Sequence, residues 1–273
     1  MQLENVIIPA CVRGFVLSAD RFDVQIHNGA VTHISPAQAA PDSIASGTLL
    51  PCLADAHVHI DKTYVVDEVG AADGDLFKAI SLMGQHRGNW TTRDISQRMQ
   101  RAIEDAYRHG TRAMRTHLDW MDATAPKSLA AFEALRDAWR GRVVLQCVSL
   151  TSLDCFDGSE VGLQIAQTLA QINARCVRSQ GEAALLGAFI YRNADMQAKL
   201  QRVFDLAKAH DLHLDFHVDE GLDMDACGLR AIASLAIANH YQGKVTCSHA
   251  CALSVQPLSE AEATLRLCAQ AGI

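Results

Sequence analysis

An alternation narrows the fold of this chain more than any other feature. From about residue 49 onward, short apolar runs alternate with longer stretches of helical spacing. The apolar runs cover residues 49–58 (leading into His57-Val58-His59), 113–119 (AMRTHLD), 143–150 (VVLQCVSL), 184–191 (ALLGAFIY), 212–218 (LHLDFHV) and 244–247. Between them, residues 76–86, 129–139, 161–179 and 229–241 read as helices. So do the series Ile95, Met99, Ala102, Ile103, Ala106 and the series Met196, Leu200, Val203, Phe204, Ala207. A last helix opens at Glu260 and runs to Ala271. Thr91 and Asp94 have the spacing of a capping box, and Gly110 is a stop signal. Regular strand–helix alternation predicts parallel βαβ units. The sequence therefore predicts an α/β fold, a TIM-type (β/α) barrel with about six of its eight strands. Active sites of such barrels lie at the C-terminal strand ends. A doubly wound sheet is the rival, but no Gly-rich phosphate turn follows the first strand.

Residues 1–48 read differently. Residues 6–8, 14–17, 22–26 and 30–34 are apolar or alternating, and Asn28-Gly29 is a hairpin signal between the last two. Residues 36–47 read as a linker. The segment is too short to bury a core alone, so it is expected to be the N-terminal part of a small β-domain. The barrel is expected to occupy residues 49–273.

Chemistry concentrates at the expected strand ends. His57 and His59 are two apart, so on a strand they project from one face. Two imidazoles so placed suit a divalent metal such as zinc or iron, although a pair of satisfied polar histidines would look the same. His117, His217 and His249 fall at or just past later strand ends. His217 is followed three residues on by Glu220, so one strand end offers both a ligand and a proton carrier. His117 and Asp119 read as supports for ligating imidazoles. Asp61 reads either as an orienting group or as a simple strand-end cap. Cys247 and Cys251 flank His249, but buried free thiols are the preferred reading for nine scattered cysteines without a CxxC.

The net charge of -7 gives no basic footprint for nucleic acid or an anionic membrane. No apolar run spans a bilayer, and the N-terminus lacks a signal-peptide pattern. The expectation is a cytoplasmic protein acting on a small molecule, with homo-oligomerisation left open.

Taken together, HVHIDKT at 57–63, GDLFKAI at 74–80, RTHLD at 115–119, DFHVDE at 215–220 and TCSHA at 246–250 resemble the cytosine deaminase branch of the metal-dependent amidohydrolase superfamily. The resemblance implies His57, His59 and His217 as ligands of one divalent ion, Fe(II) or Zn(II). It implies Glu220 as proton carrier, His249 at the attacking water or the leaving group, and Leu76 on the apolar side of the ring pocket. No lysine stands in residues 184–191 to bridge a second metal. The metal would lower a water's pKa toward about 7 for attack on the carbon bearing the exocyclic amine.

Two departures from the family pattern follow. A glutamine that reads the substrate's amide-like edge is missing after the third strand. Ser152 or Asp154 would replace it, with altered specificity. An amino-substituted N-heterocycle is expected as substrate. Cytosine, isocytosine, pterin, creatinine and triazine types remain open, as does release of an N-alkylamine. The eighth strand, which carries the family's metal-site aspartate, lies beyond the last residue. The chain therefore reads as a fragment whose six strands leave edges open. A non-catalytic metal-binding or interaction protein derived from such an enzyme is the alternative.

Overall fold

The computed structural model describes every residue except Ala39, Pro41 and Asp42. Two units result, Met1–Leu53 and Ala54–Ile273. The first is a four-stranded sheet made of β1 (Gln2–Ile7), β2 (Phe22–His27), β3 (Ala30–Pro36) and β4 (Gly47–Thr48), in the order β3-β2-β1-β4. Asn28 and Gly29 both take positive φ, 51° and 77°. A two-residue hairpin whose twist matches its strands needs that conformation. Val6, Ile8, Phe22 and Val24 form its small core.

Residues 14–17, expected as a strand, are not one. The Arg13 guanidinium donates to the carbonyls of Leu17 and Ala19 (3.4 and 3.1 Å), and Val16 is fully exposed. The segment folds back on a side-chain donor instead of pairing with a neighbouring strand. Part of the expected linker, at residues 39, 41 and 42, lies outside the described residues.

The second unit carries the alternation. Its strands are β5 (Leu53–Val58), β6 (Thr111–Asp119), β7 (Val144–Leu150), β8 (Ala183–Ile190), β9 (Leu214–Val218) and β10 (Val245–His249). Its helices are α1 (Val66–Val69), α2 (Leu76–Arg87), α3 (Thr92–Arg108), α4 (Lys127–Trp139), α5 (Glu160–Arg175), α6 (Met196–Ala209), α7 (Gly228–Ala238) and α8 (Leu258–Ala271). The helix expected over 161–179 stops early because Cys176 is extended.

The six strands form one sheet in strict sequence order, β5 to β10. A doubly wound sheet would reverse direction at its switch point, so the barrel reading stands. The sheet curls far enough that His57 on β5 and Ser248 on β10 lie within hydrogen-bonding distance, 2.9 Å. It is a nearly closed parallel barrel wrapped by helices. Residues 53–56, along β5, are exposed. No helix among the described residues is long and apolar enough to cross a membrane.

Each strand's two faces have separate jobs. On β9, Leu214, Phe216 and Val218 join the apolar core, where Phe216 lies 6.5 Å from Phe204 of α6. Asp215 and His217 belong to the opposite face. Gly187 on β8 leaves the room that interior needs. A Cβ there would lie 2.5 Å from both the Asp215 carbonyl and Val148 Cγ1.

Candidate metal centre and active site

Four imidazoles converge inside the barrel. One ring nitrogen from each of His57, His59, His117 and His217 lies within 4.8 Å of all the others. His59 and His217 present their Nε2 atoms to each other at 3.3 Å. His59 Nδ1 donates to the carbonyl of His117 at 3.3 Å, which leaves Nε2 free as a lone-pair donor. His57 Nδ1 lies against Ser248 Oγ, while its buried Nε2 has no partner among the described residues. A buried polar atom without a partner is costly, and an ion on the four-imidazole cluster would supply one.

Electrostatics points the same way. Burial, reinforced by His117 and His249, lowers the His57 pKa to about 4. Burial and neighbouring positive groups hold His59 and His217 still further below the usual histidine range. All three are therefore neutral at pH 7, as ligation requires. The donor set fits a divalent ion, and the cysteines add nothing to it. All nine are free, none belongs to the cluster, and burial pushes the Cys247 thiol well above its ordinary range.

His117 stands closer to the other imidazoles than the sequence implied. Its side chain is inside the cluster, and its Nε2 lies 3.1 Å from Asp215 Oδ1. Asp215 also accepts from Arg115 Nη1 at 2.7 Å, and Arg115 donates to Thr246 Oγ1 and Gln146 Oε1. The carboxylate behind His117 is thus Asp215, while Asp119 pairs with Lys62. A period-two signal was available, because Arg115, His117 and Asp119 share one face of β6 and Asp215 and His217 one face of β9. Among the described residues Asp61 makes no side-chain hydrogen bond to the clustered imidazoles. It is buried beside Asp119, its Oδ1 has no partner, and burial raises its pKa to about 7.

Above the imidazoles opens a cavity of about 620 Å³. His59, His217, Glu220 and His249 stand on its lining, with Glu220 Oε1 3.7 Å from His249 Nδ1. Both are delivered by unusual backbone. Asp219, His249 and Ala250 take φ of 49°, 72° and 52°, where the chain leaves β9 and β10. Left-handed non-glycine residues are costly and concentrate at functional sites. Asp219 fixes the turn by accepting from the N–H groups of Gly228 and Leu229 at the start of α7 (3.1 and 2.9 Å). Leu76, Phe77, Ile80 and Met83 of α2, with Phe189, make the apolar wall.

Ser152 lines the cavity, and its hydroxyl also accepts from the Asp154 N–H. Asp154 does not line it. Its carboxylate is 67% exposed and pairs with Lys199 at 2.7 Å, because Ser152 opens a helical turn that swings residue 154 outward. Sequence reasoning missed Lys62, Arg87, Met83 and Phe189 as lining residues. The α2 residues carried a signal in their helical spacing, but nothing local showed which face would meet the strand ends.

No family model matches the chain. Pterin deaminase of Rhizobium rhizogenes is 33% identical over 282 residues, covering 99% of this chain and 62% of the relative. The structure of 5-methylcytosine deaminase from Klebsiella pneumoniae superposes with a TM-score of 0.76 at 22% identity, covering 100% of this chain and 64% of that one. N-isopropylammelide isopropylaminohydrolase from Burkholderia multivorans gives 0.75 at 24% identity, covering 99% and 66%. At these identities the two structures speak for the fold. The chain spans under two thirds of the length of each of these three proteins. The chain thus shares the fold of these two hydrolases, carries a four-imidazole cluster at its strand ends, and is similar over its whole length to a pterin deaminase.

Proposed function

We propose that the chain carries the metal and substrate site of a hydrolytic deaminase that releases ammonia from an amino-substituted N-heterocycle. The observation behind this reading is the juxtaposition of the neutral imidazole cluster with Glu220 and His249 on one largely apolar cavity. Its volume lies in the range of small-molecule pockets and suits a bicyclic ring. The R. rhizogenes relative adds support, since its name is that of a pterin deaminase.

His57, His59 and His217 would hold one divalent ion, zinc or ferrous iron, with His117 behind them. When bound, such an ion supplies Lewis acidity and a water of lowered pKa. The protein's own groups do the rest. Phe189 and the α2 side chains exclude bulk water and hold the ring. Glu220 carries one proton of the attacking water to a ring nitrogen, and then carries the proton of the newly formed hydroxyl to the amine, which leaves as ammonia. His249 orients Glu220 from 3.7 Å and faces the developing charge. Ser152 is the polar group nearest to the role of the missing glutamine.

Release of an N-alkylamine is the second reading. The long apolar wall formed by Phe77, Ile80 and Met83 suits it, as does the likeness to the B. multivorans aminohydrolase. The test is an ammonia- and amine-release screen of the natural protein, supplied separately with Zn(II) and Fe(II). Pterin, cytosine, isocytosine and N-alkylamino-triazines are offered as substrates. Ammonia release from at least one ring is expected. Full metal loading with no turnover of any of them would overturn the reading.

A further inference from the structure

One wall of the cavity carries unbalanced charge. Lys62, Arg87 and Asp119 share it. Lys62 Nζ donates to Asp119 Oδ1 at 2.6 Å, so that cation is matched. The other carboxylate oxygen lies 3.7 Å from Arg87 Nη1, beyond a hydrogen bond. Among the described residues the Arg87 guanidinium makes no hydrogen bond, and its side chain is 38% exposed. The trio therefore holds two cations against one anion, beside the apolar side chains of Phe77, Ile80 and Met83.

We propose that Arg87 receives an anionic substituent, a carboxylate, on the heterocycle this site accepts. A guanidinium offers parallel N–H donors that match a carboxylate bidentately. An apolar wall strengthens such a pair by lowering the local dielectric. The reacting edge of the ring belongs at the imidazoles, so the carboxylate sits on an edge away from the amine. The cavity's volume of about 620 Å³ leaves room for a bicyclic ring with that group. The inference rests on the deaminase reading for the kind of ring. Arg87 would be a specificity residue, with Lys62 and Asp119 fixing the wall behind it.

Arg87 is also the last residue of α2, where a cation interacts favourably with the helix's carbonyl end. That role predicts no dependence on ligand charge, and the experiment separates the two. The metal-loaded natural protein is titrated with the deaminated forms of pterin and of pterin bearing a 6-carboxylate, followed by ligand fluorescence. The quantity read is the ratio of the two dissociation constants. In the wild type the carboxylated ring should bind about 10- to 100-fold tighter. In Arg87→Gln the ratio should collapse toward one, and Arg87→Lys should recover part of it, because it keeps the charge without the fork. A ratio near one in the wild type, or one unchanged in Arg87→Gln, overturns the proposal. Turnover is read separately. An Arg87-dependent ratio without deamination of either parent ring would sink the deaminase reading and leave the anion site standing. Deamination with a flat ratio would do the reverse.

Discussion

At the scale of single residues, geometry assigns different consequences to neighbouring groups. His217 presents Nε2 to His59 at 3.3 Å, so His217→Ala should strip the site of metal. Glu220 lies outside the imidazole cluster, so Glu220→Gln should keep the metal and lose about 10²–10⁴ of the turnover rate. Elemental analysis beside an ammonia assay checks both, and full metal occupancy in His217→Ala would refute the ligand assignment. Asp215 has a different part. It is fully buried between Arg115 and His117, and removing it leaves a cation without its partner inside the barrel. Asp215→Ala should cost about 3–5 kcal/mol in urea unfolding of the metal-free protein. The histidines proposed as ligands were picked out in the sequence through the resemblance carried by HVHID and HVDE, and the structure brings them together. The Arg115–Asp215–His117 network was not, because its members are about 100 residues apart and meet only through strand pairing.

The elements were legible in proportion to how local their causes are. The capping box at α3 is realised. Thr91 accepts from the Asp94 N–H, and the Asp94 carboxylate accepts from the Thr91 N–H. Thr91→Ala should cost about 1 kcal/mol of stability, since an N-cap acts within one turn. Gly187 is the opposite case. Its strand tolerates a side chain conformationally, but the neighbours across the sheet do not. Gly187→Ala should destabilise by about 1–3 kcal/mol through overpacking. An unchanged denaturation midpoint would show that β8 and β9 can separate at no cost. The misread segment at 14–17 follows the same rule. An apolar run makes a strand only when a neighbour supplies backbone partners, and here the Arg13 side chain takes the Leu17 and Ala19 carbonyls instead.

Across the whole molecule, the site's demand for neutral imidazoles becomes a pH dependence. His57 titrates at about 4 in the folded chain and at 6.5 when unfolded, and His59 and His217 are also depressed. Between those pH values the unfolded state binds more protons, so the metal-free protein loses stability as pH falls from 6.5 toward 4. Asp61 opposes this. Its folded pKa of about 7 lies above its unfolded 3.8, so its share of stability is lost as pH rises through that window. Three histidines outweigh one aspartate, and the net slope is positive with pH. Asp61→Asn removes the opposing contribution and should steepen the slope. Urea midpoints of the metal-free protein at pH 5 and 7 measure it, and a higher midpoint at pH 5 in the wild type would mean that the histidines do not dominate.

Strand period, helical spacing, a capping box and two His-rich motifs are short-range patterns, written within stretches of a few to twenty residues. The sequence by itself therefore determined the alternation of the barrel and the gathering of histidines at its strand ends. Tertiary structure alone decided that His117 stands among the imidazoles, that Asp154 faces away while Arg87 faces in, and that Asp215 is the buried anion of the interior. Each of these depends on strand shear and on the angle at which a helix lies over the strand ends. Those quantities are set by packing between segments distant in the chain, and no local pattern encodes them.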